Sequence, residues 1–350
     1  MGRRPLRLRE PPSASGPSSL SGDSEAVLDI IGEPATPEAA KVERALVQLL
    51  RQLGASGYRF VTPTPSTHEL VAGRRPRARP GNLRDIFGWG RSFGADDLEP
   101  ALLAALDEGG ALRRDDAGLR AAVRVSTLGE RLFLHSAAGA DPNAVFLGPD
   151  SYRFVRLLHA TGLRMPAGGR ILDIGVGAGA GAVTLAAAFP QAEVWGSDVN
   201  PAALRFARVN AMAAGLTLQT AEGAGAEAAP GEFDLIAANP PYIAGRGGRV
   251  YRDGGDALGT EVALDWARTA VRRLRPGGAL VLYTGSPIVD GVDPVQEALS
   301  ELARAEGLEL VYEEIDPDVF GGTLKREAYR DVERIAAVGA RLTARANGGG

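Results

Sequence analysis

From Arg170 onward, short apolar runs alternate with stretches of helical periodicity. That alternation predicts a mostly parallel sheet with helices on both faces. The runs read as strands are Arg170–Ile174, Glu193–Ser197, Thr217–Thr220, Phe233–Ala238 and Ala279–Tyr283. Leu308–Ile315 and Asp331–Val338 follow, separated by a long turn through Phe320-Gly321-Gly322, and read as a terminal antiparallel hairpin. Ahead of this region the pattern is different. From about Thr36, Val42, Ala45, Leu46, Leu49 and Leu50 recur at helical spacing, with Gly54 as a stop. Asp96-Asp97 is placed to cap a helix through Leu98, Leu102, Leu103 and Leu106, which Gly109-Gly110 ends. Arg120–His135 reads as two strands around Thr127-Leu128-Gly129-Glu130. Helices followed by a short hairpin predict a winged-helix-like module, either a docking surface or a scaffold. The resulting division is a disordered leader over 1–35, a front domain over 36–140, a catalytic domain over 141–343 and a frayed tail over 344–350.

Composition narrows the function without choosing it. Hydrophobic residues make up 45% and charged residues 23%, as in ordinary globular chains. A net charge of −4 argues against coating nucleic acid by bulk electrostatics. The absence of cysteine excludes disulfides, cysteine nucleophiles and thiolate metal sites, and His68, His135 and His159 are too few to suggest a histidine-built metal centre. No run approaches the roughly 20 apolar residues of a spanning helix, and the basic, then Pro/Ser/Gly-rich start lacks an export signal. A soluble cytoplasmic protein is expected. One local exception to the acidic balance is 73–93, where Arg74, Arg75, Arg77, Arg79, Arg84 and Arg91 sit among Phe87, Trp89 and Phe93. Such a loop has a positive field and points mildly to RNA, although a solvated loop explains it as well.

The segment ILDIGVGAGAGAVTLAAAF passes from buried strand to glycine turn to alanine-rich helix. Gly175, Gly177 and Gly179 remove side chains that would keep a ligand off the backbone, and they permit positive φ. Dinucleotide folds use such a turn too. Asp173, inside the strand, would oppose a pyrophosphate but suits a cationic sulfonium cofactor. Asp198, ending the next strand beside Val199, is placed to accept ribose hydroxyls. Taken singly, Asp173 as a turn cap and Asp198 as the N-cap of a helix over 201–214 are equally good readings. Their combination at successive strand ends favours S-adenosylmethionine.

The fourth strand runs directly into Asn239-Pro240-Pro241-Tyr242. Open α/β sheets place ligands at that carboxyl end. A planar amide or amino nitrogen is a poor nucleophile, so a catalyst must accept its hydrogens and aim its lone pair. The Asn239 side-chain oxygen and the Pro240 carbonyl can accept, Pro241 shapes the contact, and Tyr242 offers a flat face for stacking. No strong base is needed, because orientation and charge stabilisation suffice.

Over roughly 145–340 these residues resemble the class I methyltransferases of the Asn-Pro-Pro-Tyr group, especially the release-factor glutamine N5-methyltransferases and related RNA or DNA N-methyltransferases. LDIGVGAG, SDVNPAALRFARVNA, NPPYI, YRDGGDALG and LRPGGALVL carry the resemblance. It implies a Rossmann-like α/β fold with a seven-stranded sheet, Gly175 and Gly177 near S-adenosylmethionine, Asp198 on its ribose, and Asn239 with Tyr242 on the substrate. It also implies that NAVFLGPDSYRFVRLL, with Pro149 and Asp150, helps close the pocket, and it makes Glu222 the nearest candidate beside the adenine. The implied substrate is a macromolecule, either a release-factor-like protein or RNA or DNA. A small-molecule amine, a nicotinamide-dependent oxidoreductase and a non-catalytic binding module are the competing readings.

Overall fold

The computed structural model describes residues 36–74, 80–115, 118–137, 143–243 and 257–346. Helix α1 (Pro37–Ala55) starts where Thr36 Oγ1 accepts the Ala39 N–H at 3.1 Å and Pro37 presets the first turn. It buries Leu46, Leu49, Leu50 and Leu53 at helical spacing. Helix α2 (Pro65–Gly73) and the short α3 (Leu83–Phe87) follow, the latter capped by Asn82. The next helix, α4 (Pro100–Glu108), begins later than expected, because Pro100 starts it while Asp97 turns back to accept the Gly94 N–H. Two hairpins come after it. Strands β1 (Leu112–Asp115) and β2 (Gly118–Ala121) form one that the apolar pattern did not announce, and β3 (Val123–Leu128) with β4 (Arg131–Ser136) forms the expected one.

Helix α5 (Pro149–Ala160) leads into the alternating region: β5 (Arg170–Ile174), α6 (Ala180–Ala188), β6 (Glu193–Asp198), α7 (Pro201–Ala213), β7 (Gln219–Glu222) and β8 (Phe233–Ala238). Helix α8 (Glu261–Val271), β9 (Leu274–Ile288), α9 (Pro294–Glu306), β10 (Glu309–Asp316) and β11 (Arg334–Thr343) complete it. These strands form one seven-stranded sheet in the order β10-β11-β9-β8-β5-β6-β7. Every strand runs parallel to the rest except β11, which is antiparallel to both neighbours, as the terminal hairpin predicted. Strand β9 is far longer than its apolar run suggests. Pairing with all ten residues of β11 carries it on to Ile288, and at its start Leu274 pairs with Phe233 of β8.

The front elements share one hydrophobic cluster with α5, α6 and α7, running from Leu46 through Phe133 and Leu147 to Leu235 and Tyr283. The opposite face packs α8 and α9 on Leu172, Ile236 and Leu280. Polar stitches reinforce the first interface. Asn210 of α7, 1% exposed, accepts the Leu134 N–H at 2.8 Å and donates to the carbonyls of Leu134 and Ala178 at 2.9 and 2.8 Å. Glu43 of α1 pairs with Arg208 of α7 at 2.6 Å, and Arg208 also donates to Thr220 in β7. Within the hairpin, Ser126 Oγ lies 2.8 Å from His135 Nε2 and hydrogen-bonds Thr62. Burial holds the His135 imidazole down at about 3, so it stays neutral.

The arginine–aromatic stretch differs from expectation. Phe87 and Phe93 are buried, Trp89 packs edge-on against Phe60 at 5.2 Å, and Arg91 meets Asp85 at 3.6 Å. These rings build the front core and do not face outward to grip bases. Arg75, Arg77 and Arg79 lie outside the described residues, as do the leader and the last tail residues. Among the described residues no helix is long and apolar enough to cross a membrane, and no group of His, Asp and Glu has the makings of a metal site.

Candidate active site

Strand order reverses at β5: the chain moves outward through β6 and β7, then returns to pair β8 on the other side. Ligands in open α/β sheets settle at such a reversal, beyond the carboxyl ends of the strands. Here Ile174 of β5 is in register with Ala238 of β8. The glycine turn and Asn239 therefore leave the sheet from adjacent positions, and the two motifs open onto the same edge.

On the β5 side the backbone does what the glycines allow. Gly175, Gly177 and Gly179 have φ of 65°, 51° and 81°, where a side chain would be strained. Asp173 is 2% exposed, and its Oδ2 accepts the Ala182 N–H at 2.7 Å. It thus pins the N-terminus of α6 from beneath, with its carboxylate turned away from the open side of the turn. Burial pushes its acid up to about 8, against the hydrogen bond that favours the anion. Asp198, half-buried at the end of β6, accepts the Gly177 N–H at 3.0 Å and the Asn200 N–H at 2.9 Å. It therefore ties the glycine turn to β6. Capping of α7 falls to Asn200, which accepts the Ala202 N–H at 3.0 Å, so the helix-cap reading of Asp198 gives way to a turn clamp. Val199 is exposed beside it, and Glu222, exposed at the end of β7, stands directly opposite Asp198 in the strand register.

The β8 side is less engaged. Asn239 is half-buried, and neither its side chain nor the Pro240 carbonyl hydrogen-bonds any described residue. Pro240 is buried and Pro241 half-buried. Tyr242 departs from its expected role as an open stacking face. It is 8% exposed and meets Tyr283 and Phe320 edge-on, with ring centroids 6.2 and 5.6 Å away. One ring face lies against Gly285, where a Cβ would come within 2.4 Å of the ring, so only glycine fits there. The Tyr242 hydroxyl is buried and makes no hydrogen bond of acceptable geometry, although it sits in the field of Asp150.

Pro149 opens α5, and Asp150 in its first turn accepts the Tyr283 hydroxyl at 3.0 Å. Burial raises the Asp150 acid above the usual carboxylate range. Arg153 lies 3.5 Å from Asp150 and 2.9 Å from Asp316 of β10. Of the two residues proposed from the segment ahead of β5, Asp150 therefore lies beside Tyr242, while Pro149 starts the helix that carries it. Three members of the neighbourhood escaped the sequence reading. Tyr283 entered only as the end of the fifth predicted strand, Asn210 only within a quoted segment, and Trp266 not at all. Asn210 alone carried a signal, since it lies within SDVNPAALRFARVNA.

Comparison with known proteins bears on this geometry. A model of the family described as "Methyltransferase small domain" matches residues 154–288, which span the glycine turn, Asp198 and Asn239–Tyr242. A release factor glutamine methyltransferase from Bordetella pertussis is 32% identical over 243 residues, covering 65% of this chain and 84% of that protein. The chain belongs to the class I S-adenosylmethionine-dependent methyltransferases. Other relatives of this methyltransferase align over shorter stretches. A release factor glutamine methyltransferase of Deinococcus radiodurans is 42% identical over 123 residues, 32% of this chain and only 44% of its own length. The ribosomal RNA small subunit methyltransferase C of Pseudomonas entomophila is 34% identical over 128 residues, 35% of this chain and 36% of its own. Residues at the strand ends fit the methyltransferase cofactor. The turn carries glycine at every other position, with room at Gly177; Asp198 lies half-buried beside it, and exposed Glu222 stands next in line.

Proposed function

We propose that this methyltransferase transfers a methyl group from S-adenosylmethionine to a planar amide or amino nitrogen of a macromolecule. The observation that carries this reading is the position of Asn239. An unengaged amide leaves the sheet from the residue next to Ala238, whose partner Ile174 leads into the glycine turn. The cofactor supplies an electrophilic methyl group. Gly175, Gly177 and Asp198 would hold it, with Glu222 and Val199 at the nucleoside end and Asp173 acting through the N-terminus of α6. Asn239 Oδ1 and the Pro240 carbonyl accept the two hydrogens of the incoming nitrogen and so direct its lone pair. As that nitrogen becomes cationic, the same oxygens stabilise the growing charge, and one proton then leaves to water. Pro241 and Tyr242 shape the acceptor side, Tyr242 being held by Tyr283, Phe320 and Gly285.

Among planar nitrogens, a glutamine amide in a protein is favoured, because the relative aligned over 84% of its length is a release factor glutamine methyltransferase. A nucleobase amine is the second reading, favoured by the ribosomal RNA relative. A soluble, cytoplasmic setting agrees with either. The test is incubation of the full chain with radiolabelled S-adenosylmethionine and fractionated cell extract. Label in protein, recovered after digestion as N-methylglutamine, is the expected result, label in RNA selects the second reading, and label confined to small molecules overturns both.

A further inference from the structure

One aromatic side chain of α8 stands directly beside the glycine turn. Trp266, on α8, reaches across the top of the sheet until its ring tip touches Gly175. A Cβ built on Gly175 would lie 2.5 Å from the indole Cη2 and 2.8 Å from Cζ3. A helix that arrives after β8 thus reaches the turn that follows β5. One turn further along α8, Thr269 faces Gly225, where an added Cβ would stand 3.7 Å from its hydroxyl. Gly225 opens the short 3-10 turn Gly225–Ala228 just beyond Glu222, and its carbonyl accepts Ser197 Oγ at 3.0 Å. Helix α8 therefore flanks the cleft from the β5 end to the β7 end, with Asp198 between them in the sheet.

The indole itself is unfinished as a core residue. Trp266 is half-buried, only partly packed on the cluster beneath α8, and has no ring partner among the described aromatics. Its N–H donates to no described residue, whereas the other indole of this sheet, Trp195, donates to Glu193 at 2.8 Å. A large flat apolar face with a free donor, set against a glycine-rich turn, suits a planar heteroaromatic ring that carries acceptors. We propose that Trp266 is a cofactor-binding residue, its indole forming the wall against which the adenine of S-adenosylmethionine packs. This rests on the cofactor assignment and adds to it a contact from α8.

The test uses S-adenosylhomocysteine and adenosine as probes, with affinity read by calorimetry on the full chain. In Trp266→Ala, loss of an aromatic contact to a base should weaken both probes by a similar factor of about tenfold or more. Affinities within about twofold of wild type overturn the proposal, and so does weakening confined to S-adenosylhomocysteine, which would move Trp266 to the amino-acid end. A second measurement covers a variant that does not fold. In wild-type chain carrying 5-fluorotryptophan, Trp89→Phe and Trp195→Phe identify two fluorine resonances, and the remaining one belongs to Trp266. It should shift on saturation with adenosine, and an unmoved resonance refutes the contact. Wild-type chain that binds neither probe sinks the cofactor assignment itself, a failure distinct from those of Trp266.

Discussion

The two ends of the strand-edge cleft are built on opposite terms. At the β5–β6 end, Asp173 and Asp198 together accept the N–H groups of Ala182, Gly177 and Asn200, so the turn is locked by two carboxyl side chains. At the β8–β9 end, the Asn239 amide, the Tyr242 hydroxyl and the buried Thr284 hydroxyl make no hydrogen bond to a described residue. A locked turn presents a rigid cradle and costs little to order on binding. Unengaged polar groups are expensive in a finished core and are satisfied when a polar partner arrives. In the proposed reading, the preorganised half takes the constant ligand and the unsatisfied half takes the variable acceptor.

Variants at the two ends should separate cleanly. The largest effect is expected from Asn239→Ala, with methyl transfer falling roughly 100- to 1,000-fold, as when one donor or acceptor of a charge-stabilising site is removed. Its calorimetric affinity for S-adenosylhomocysteine should stay within about twofold of wild type; a matching loss of affinity would erase the division between the ends. Next comes Asp198→Ala, which frees two backbone N–H groups. Cofactor affinity should drop at least about tenfold, with stability lowered by about 1–3 kcal/mol in denaturant titration. Gly175→Ala meets both a positive φ and the Trp266 ring, so a loss of about 1–3 kcal/mol is expected, and an unchanged melting curve would show that the turn is looser than drawn.

Smaller effects follow from protonation and from the idle hydroxyl. The Asp173 acid is raised from 3.8 to about 8 by burial, so between those values the folded chain keeps a proton that the unfolded chain has released. Stability should therefore decline as pH rises through that window, by at most about 1.4 kcal/mol per pH unit for one group. Asp173→Asn should flatten that decline in thermal melts between pH 5 and 8, and an unaltered slope assigns it to other groups. Least of all, Tyr242→Phe removes a buried hydroxyl that has no well-formed hydrogen bond. Stability should be unchanged or rise by up to about 1 kcal/mol, and a marked loss would mean that the hydroxyl is engaged with Asp150.

Much of the sheet was legible because its signals are local. Arg170–Ile174 and Phe233–Ala238 match their apolar runs residue for residue, since a strand buried on both faces reads as a continuous apolar block. Boundaries slipped where the partner decides the length. Strand β9 continues to Ile288 because β11 pairs with it that far, and β1–β2 is a hairpin of two four-residue strands rich in arginine. At the site, Asn239 and Asp198 were visible because both terminate strands. Tyr283, Trp266 and the inward turn of Tyr242 were not, since each depends on a contact between elements distant in the chain.

Strand and helix order, the glycine turn and the placing of Asn239 at a strand end follow from periodicity and turn chemistry within a few residues, and the sequence alone determined them. Which way the functional side chains face was decided only by tertiary packing. Asp173 lies under α6, Tyr242 between Tyr283 and Phe320, and Trp266 over Gly175, because β8 returns to pair with β5 and brings α8 and β9 across the same edge. A side chain's direction is set by the surfaces that close around it, and those surfaces come from remote parts of the chain.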